Sequence, residues 1–81
     1  MSLVNPFLKI LKDNQWSLNA MAGKTGVAVP TLQQVFNGAI KSPRTLLTGL
    51  QSLGYNAEAL AREYEAWRQA LLLDAREQVG L

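Results

Sequence analysis

Apolar residues recur along this 81-residue chain three and four positions apart. Nowhere do they alternate with polar ones over a useful length, so the pattern predicts helices and no strands. Phe7, Leu8, Ile10 and Leu11 make the first stripe, and Leu18, Met21 and Ala22 the second. Leu32, Val35 and Phe36 make the third, and Leu46, Leu47, Leu50 and Leu53 the fourth. Leu60, Tyr64, Trp67 and Leu71 complete a fifth, longer one. Helix boundaries are legible from caps and breakers. Asn5-Pro6 opens the first helix, with Asn as N-cap and Pro at the first helical position, and that helix ends near Asn14. Ser17 caps the second, and Gly26 closes it in the left-handed conformation. The third begins at or just before Pro30, with Val29 held extended by the proline that follows it. Gly38 stops it. Ser42-Pro43 repeats the cap-and-proline start for the fourth helix, which runs to Gly54, and Asn56 caps the last. No internal repeat or low-complexity segment interrupts the series.

Only a few residues separate the second and third helices, which forces them to cross steeply. Ala22 is small where they cross, Gly26 reaches positive φ, Val27 plugs the space under the turn, and Leu32 and Val35 anchor the third helix. At this corner the stretch SLNAMAGKTGVAVPTLQQVFNG resembles the helix-turn-helix of the Cro and phage-repressor class of bacterial regulators. NGAIKSPRTLLTGLQSLGY resembles the loop and fourth helix that follow it there. The likeness covers roughly residues 5–60 and rests on Ala22, Gly26, Val27, Leu32, Val35, Asn37-Gly38, Pro43 and Leu53-Gly54.

The resemblance implies a compact, all-α, five-helix bundle like that of lambda repressor, with a central helix-turn-helix and an extended C-terminal helix. It implies one DNA-binding domain over residues 4–81. In this class the third helix enters the major groove and its first turn meets base edges. Carried onto this chain, the base-contacting residues are Val29, Pro30, Thr31, Gln33 and Gln34. The two glutamines can pair an amide with adenine N6 and N7, and Thr31 can meet a thymine methyl. Val29 and Pro30 stand where the class often has glutamine or serine, and offer apolar or shape contacts only. Phosphate contacts fall to Ser17, Leu18 and Asn19 at the start of the second helix, whose free N–H groups attract anions. Asn37, Lys41, Ser42 and Arg44 grip the backbone from the other side. The class commonly has glutamine where this chain has Leu18, so one contact is missing.

Composition narrows the alternatives. Eighty-one residues predict one small domain, which needs tight helix packing or a partner. Cysteine and histidine are both absent. Disulfides and thiolate metal sites are therefore excluded, and so is the commonest acid–base side chain. No glycine-rich phosphate loop follows a strand, and the six acids form no pair at catalytic spacing. The expectation is a non-enzyme with no cofactor, no metal and no small-molecule substrate. No apolar run reaches the roughly 18 residues of a membrane span. MSLVNPFLK lacks the pattern of a secretory leader. A cytoplasmic, nucleoid-associated protein is expected. Net charge is +2 but unevenly placed. Lys9, Lys12, Lys24, Lys41 and Arg44 face Asp13 alone over residues 1–56, whereas residues 57–81 carry five acids against three arginines. A basic front suits an anionic partner, although ordinary surface charge gives the same distribution.

Operators of this class are usually pseudo-palindromic and read by dimers. The C-terminal helix over 60–79 is the candidate dimer contact, through Leu60, Tyr64, Trp67 and Leu71 with Trp67 at its centre. The other reading lets Leu60, Tyr64 and Trp67 finish the monomer core, leaving the tail free for another protein or for a further domain. The function expected is a repressor-like, sequence-specific transcriptional regulator of bacterial or phage (including prophage) origin. Its alternative is a helical protein–protein adaptor that keeps the corner without binding DNA.

Overall fold

Each apolar stripe finds a partner stripe. In a computed structural model of the chain, residues 4–79 are described, with side chains through Leu73. Helices α1 (Pro6–Asp13), α2 (Leu18–Thr25), α3 (Val29–Asn37), α4 (Arg44–Ser52) and α5 (Ala57–Val79) follow in order, with no strand among the described residues. The end of the expected domain, at residues 80–81, lies outside them. α1 packs on α3 and α5, α2 packs on α3 and α4, and α4 packs on α5. Between them lie Phe7, Ile10, Met21, Val27, Leu32, Val35, Leu46, Leu50, Leu60 and Tyr64, all buried. The core is therefore one residue set drawn from all five helices and the α2–α3 turn. Removal of this apolar surface from water is what stabilises so small a chain. Leu53, the last member of the fourth stripe, lies past the end of α4 and is exposed.

The caps follow the sequence with two corrections. Asn5, Ser17 and Asn56 each accept a backbone N–H at the start of α1, α2 and α5, at 3.0, 3.0 and 3.1 Å. Val29, expected to be extended, is already helical. Ala28 is the extended residue (ψ 147°), and its carbonyl accepts from Leu32 N at 3.0 Å, closing the first turn one residue earlier. Pro30 then sits within that first turn, where its missing N–H costs nothing. Ser42-Pro43 does not form the expected cap-and-proline start. Pro43 (φ −67°, ψ 141°) is itself the N-cap and makes no side-chain bond, and the helix begins at Arg44. The Pro43 carbonyl accepts from Leu47 N, which points the Leu46–Leu50 stripe inward.

α4 meets α2 closely at Gly49. A Cβ there would lie 2.7 Å from both Cα and O of Thr25, and 3.0 Å from its Cβ. α4 therefore rests directly on the last turn of α2, where Thr25 is buried and its hydroxyl donates to Met21 O at 2.7 Å. Gly23, two residues before Thr25 on the same α2, has open space around it.

Gly49→Ala is expected to cost about 2–3 kcal/mol, because backbone rather than a mobile side-chain tip must give way. Gly23→Ala is expected to add about 0.5–1 kcal/mol through helix propensity. Urea denaturation of the two variants beside the parent checks the pair, which must move in opposite directions.

Candidate nucleic-acid interface

The α2–α3 corner turns on one residue. Gly26 takes φ 75°, a conformation that L side chains resist, and its N–H donates to Ala22 O at 2.9 Å to close α2. Val27 is buried beneath the turn, and Leu32 and Val35 fix α3 against the core with no exposed surface at all. The opposite side of α3 is then set by the helical period. Pro30, Gln33, Gln34 and Asn37, spaced i, i+3, i+4 and i+7, are all exposed. Val29 and Thr31 flank them, half-buried. The side-chain amides of Gln33, Gln34 and Asn37 make no hydrogen bond among the described residues. α3 carries no charged residue.

The far end of α3 is tied down from both ends of the chain. The buried Asn5 amide donates to Val35 O at 3.0 Å and Phe36 O at 3.4 Å, while its oxygen caps α1. One side chain thus satisfies a helix start and a helix end, two places where backbone groups are left over. From α5, the Tyr64 hydroxyl donates to Ile40 O at 2.6 Å and Arg68 Nε donates to Gly38 O at 3.1 Å. Gly38 has φ 76°, and a Cβ on it would lie 2.8 Å from Trp67 Cζ3 and 3.2 Å from Leu71 Cδ2. Glu65 holds Arg68 in place with both carboxylate oxygens, at 3.0 and 3.1 Å. Tyr64 stacks at a tilt between Phe7 and Trp67, with ring centroids 5.0 and 5.8 Å away.

These contacts correct the dimer surface expected from sequence. Leu60 and Tyr64 are buried in the chain's own core, so neither can face a second copy. Trp67 is half-buried against Gly38 and the core. Of the four residues only Leu71 keeps substantial exposure, 44%, and it continues into Leu72 and Leu73 at 55% and 57%.

The proposed phosphate contacts divide similarly. Ser17 and Asn19 are exposed, and Ser17 Oγ accepts Ala20 N. Leu18 is half-buried, with its side chain packed against the core, and offers no polar side-chain group in the first turn. Lys41 and Arg44 are exposed, with Ser42 half-buried between them. The one ion pair among the described residues joins Arg68 to Glu65, so neither cation has an acidic partner. Past Gly38 the chain returns toward the corner, because Thr45 in the first turn of α4 is the nearest neighbour of Gly26, 3.8 Å from where its Cβ would lie. α2, α3 and α4 all begin without an acid in the first turn, and α3 and α4 without a side-chain cap. Their positive dipole ends are left uncompensated.

Sequence reading finds the vacant face of α3 and misses its restraints. Asn5 is legible as a cap, but nothing in local sequence signals that its amide also reaches α3. A signal for Tyr64 does exist, since a tyrosine in a core stripe needs a partner for its hydroxyl. Among the described residues no cluster of three metal-ligating side chains occurs, and no helix is long and apolar enough to cross a membrane. Comparison with protein-family models, curated proteins and solved structures finds no match.

Burial pushes the Tyr64 phenol above its usual 10.0; the Arg68 guanidinium pulls it partly back, and the Glu65 carboxylate adds to the rise. The folded state thus holds this proton more tightly than the unfolded state does. Its contribution to stability is complete below pH 10 and declines as pH climbs beyond it. Tyr64→Phe is expected to cost about 1 kcal/mol at pH 8 by removing the bond to Ile40. The gap between parent and variant should shrink as denaturation is repeated toward pH 12, and a constant gap would contradict the assignment.

Proposed function

We propose that this chain is a sequence-specific, double-stranded DNA-binding regulator of transcription, of the Cro and phage-repressor kind, that seats α3 in the major groove. The observation that carries the reading is the asymmetry of α3. Its inner face and far end are fully engaged, while its outer face is a row of vacant amides and apolar groups. A helix of about 10–12 Å diameter with such a face matches the width of the groove. Lys41 and Arg44, without acidic partners among the described residues, and the start of α2, which has no acid in its first turn, suit phosphates on either side. Bound at an operator, the protein would act in the cytoplasm, at the nucleoid, by occupancy. No catalytic step is needed.

Two copies on a pseudo-palindromic operator are part of the same reading, since one short helix discriminates too weakly alone. With Leu60 and Tyr64 in the core, the contact between copies falls to Leu71, Leu72 and Leu73, backed by Trp67. The half-exposed leucines equally favour an adaptor that binds another protein. Salt separates the two readings. DNA affinity should fall with salt at a log–log slope near −0.9 per phosphate contacted, and an adaptor would show no DNA affinity even at low salt.

Fluorescence anisotropy on a selected duplex tests the site map. Gln34→Ala is expected to cost about 1–3 kcal/mol on that duplex and little on unrelated DNA. Arg44→Ala is expected to weaken every duplex alike and to reduce the salt slope by about one unit. Identical behaviour of the two variants would overturn the division of contacts.

Sedimentation tests the pairing. A dimer is expected at micromolar concentration or on a two-site duplex, and a persistent monomer in both settings would remove the second copy from the reading.

A further inference from the structure

We propose that the base pairs beneath α3 are A·T pairs, read by amide and methyl contacts; this rests on the DNA-binding reading above. Between Lys24 and Lys41 the chain has no charged residue, and α3 with its corner lies wholly inside that stretch. The outward groups are therefore two glutamine amides, an asparagine amide, a proline ring and the flanking Val29 and Thr31.

Base edges in the major groove sort these groups by chemistry. Guanine presents two acceptors, O6 and N7, and is matched by the paired donors of Arg or the charge of Lys. Cytosine presents the N4 donor, which Asp or Glu accepts. Adenine presents an acceptor, N7, beside a donor, N6–H, and a carboxamide complements both at once. Thymine presents the C5-methyl, which apolar groups meet. An amide facing guanine can use only its NH2 donors, on O6 and N7, and its oxygen finds no donor on that base edge. α3 has the partners for adenine and thymine, and none of the charged partners for guanine and cytosine. Gln33 and Gln34 make no side-chain hydrogen bond among the described residues, so adenine does not have to compete for them there. Lys41 and Arg44 lie outside α3, on the connection and at the start of α4, where they serve phosphates. The A·T pairs then fall at the centre of the contact, with the sequence-independent grip at its edge.

Selection of bound sites from random duplexes, using the full chain, is the first test. The fixed positions of the enriched site are expected to be A·T. Enrichment of a site whose fixed positions are G·C would overturn this inference while leaving DNA binding intact. No enrichment, together with no binding at low salt, would overturn the DNA reading itself.

Two chemical substitutions in the enriched site separate edge contacts from a preference for A·T-rich shape. Replacing a contacted adenine by 7-deazaadenine removes the N7 acceptor and should weaken binding at least about fivefold. Replacing a contacted thymine by deoxyuridine removes one methyl and should weaken binding about fourfold. Both losses at 7-deazaadenine and deoxyuridine are required. An A·T preference that survives unchanged in the Gln33→Ala/Gln34→Ala double variant would assign it to shape and overturn the proposal.

Discussion

The last turn of α3 is held by side chains from opposite ends of the chain, and the outward pose of the whole helix depends on that restraint. A nine-residue helix is too short to be stable alone in water. Its inner stripe, Leu32 and Val35, supplies adhesion to the core, but adhesion does not fix rotation or tilt. Directional bonds do. Asn5 grips the carbonyls of Val35 and Phe36 from the N-terminal side, and Tyr64 and Arg68 grip Ile40 and Gly38 from α5. Each is worth about 1 kcal/mol net, modest in energy but specific in geometry. Trp67 lies so close to Gly38 that a Cβ there would push the indole aside, and the positive φ adds strain for any other residue.

The other end of α3 is governed by a different constraint. Gly26 and Val27 set the bend, and Thr45 and Gly49 on α4 lie against the last residues of α2. α4 thus buttresses the corner from behind while α5 holds the far end. The long α5 serves two roles along its length. Its first two turns bury Leu60 and Tyr64 in the core, its middle holds the loop after α3, and from Leu71 the side chains emerge half-exposed. A contact made by those leucines would act next to Gly38, at the end of the proposed reading helix.

Periodicity and breakers expose most of this organisation before any coordinates. Pro6, Gly26, Gly38 and Gly54 mark helix limits because each residue's backbone preference is local. The stripe of Leu32 and Val35 fixes the vacant face of α3 for the same reason. Boundaries at prolines are less legible. Pro43 fits the first helical position or the cap equally well by its φ, and only the packing of Leu46 and Leu50 selects the cap. Long-range polar contacts are illegible in principle, because Asn5 meets Val35 across 30 residues and no local rule joins them. The same limit applies to Leu60 and Tyr64. A stripe of apolar residues on a last helix looks alike whether its partner is its own core or a second molecule. The role of Gly49 is illegible in the sequence, because a mid-helix glycine reads as a weak point until its neighbour, Thr25, is known.

A helix can discriminate between base pairs only if its side chains are delivered in a fixed orientation. Here that orientation comes from capping groups and an aromatic seam rather than from a larger core. Native-state hydrogen exchange of the α3 amides tests this claim most directly. The amides of Leu32 to Phe36 should exchange only through global unfolding, with the same free energy as the most protected amides of α1 and α4. Exchange of those amides through a low-energy local opening, with α1 and α4 still protected, would contradict it.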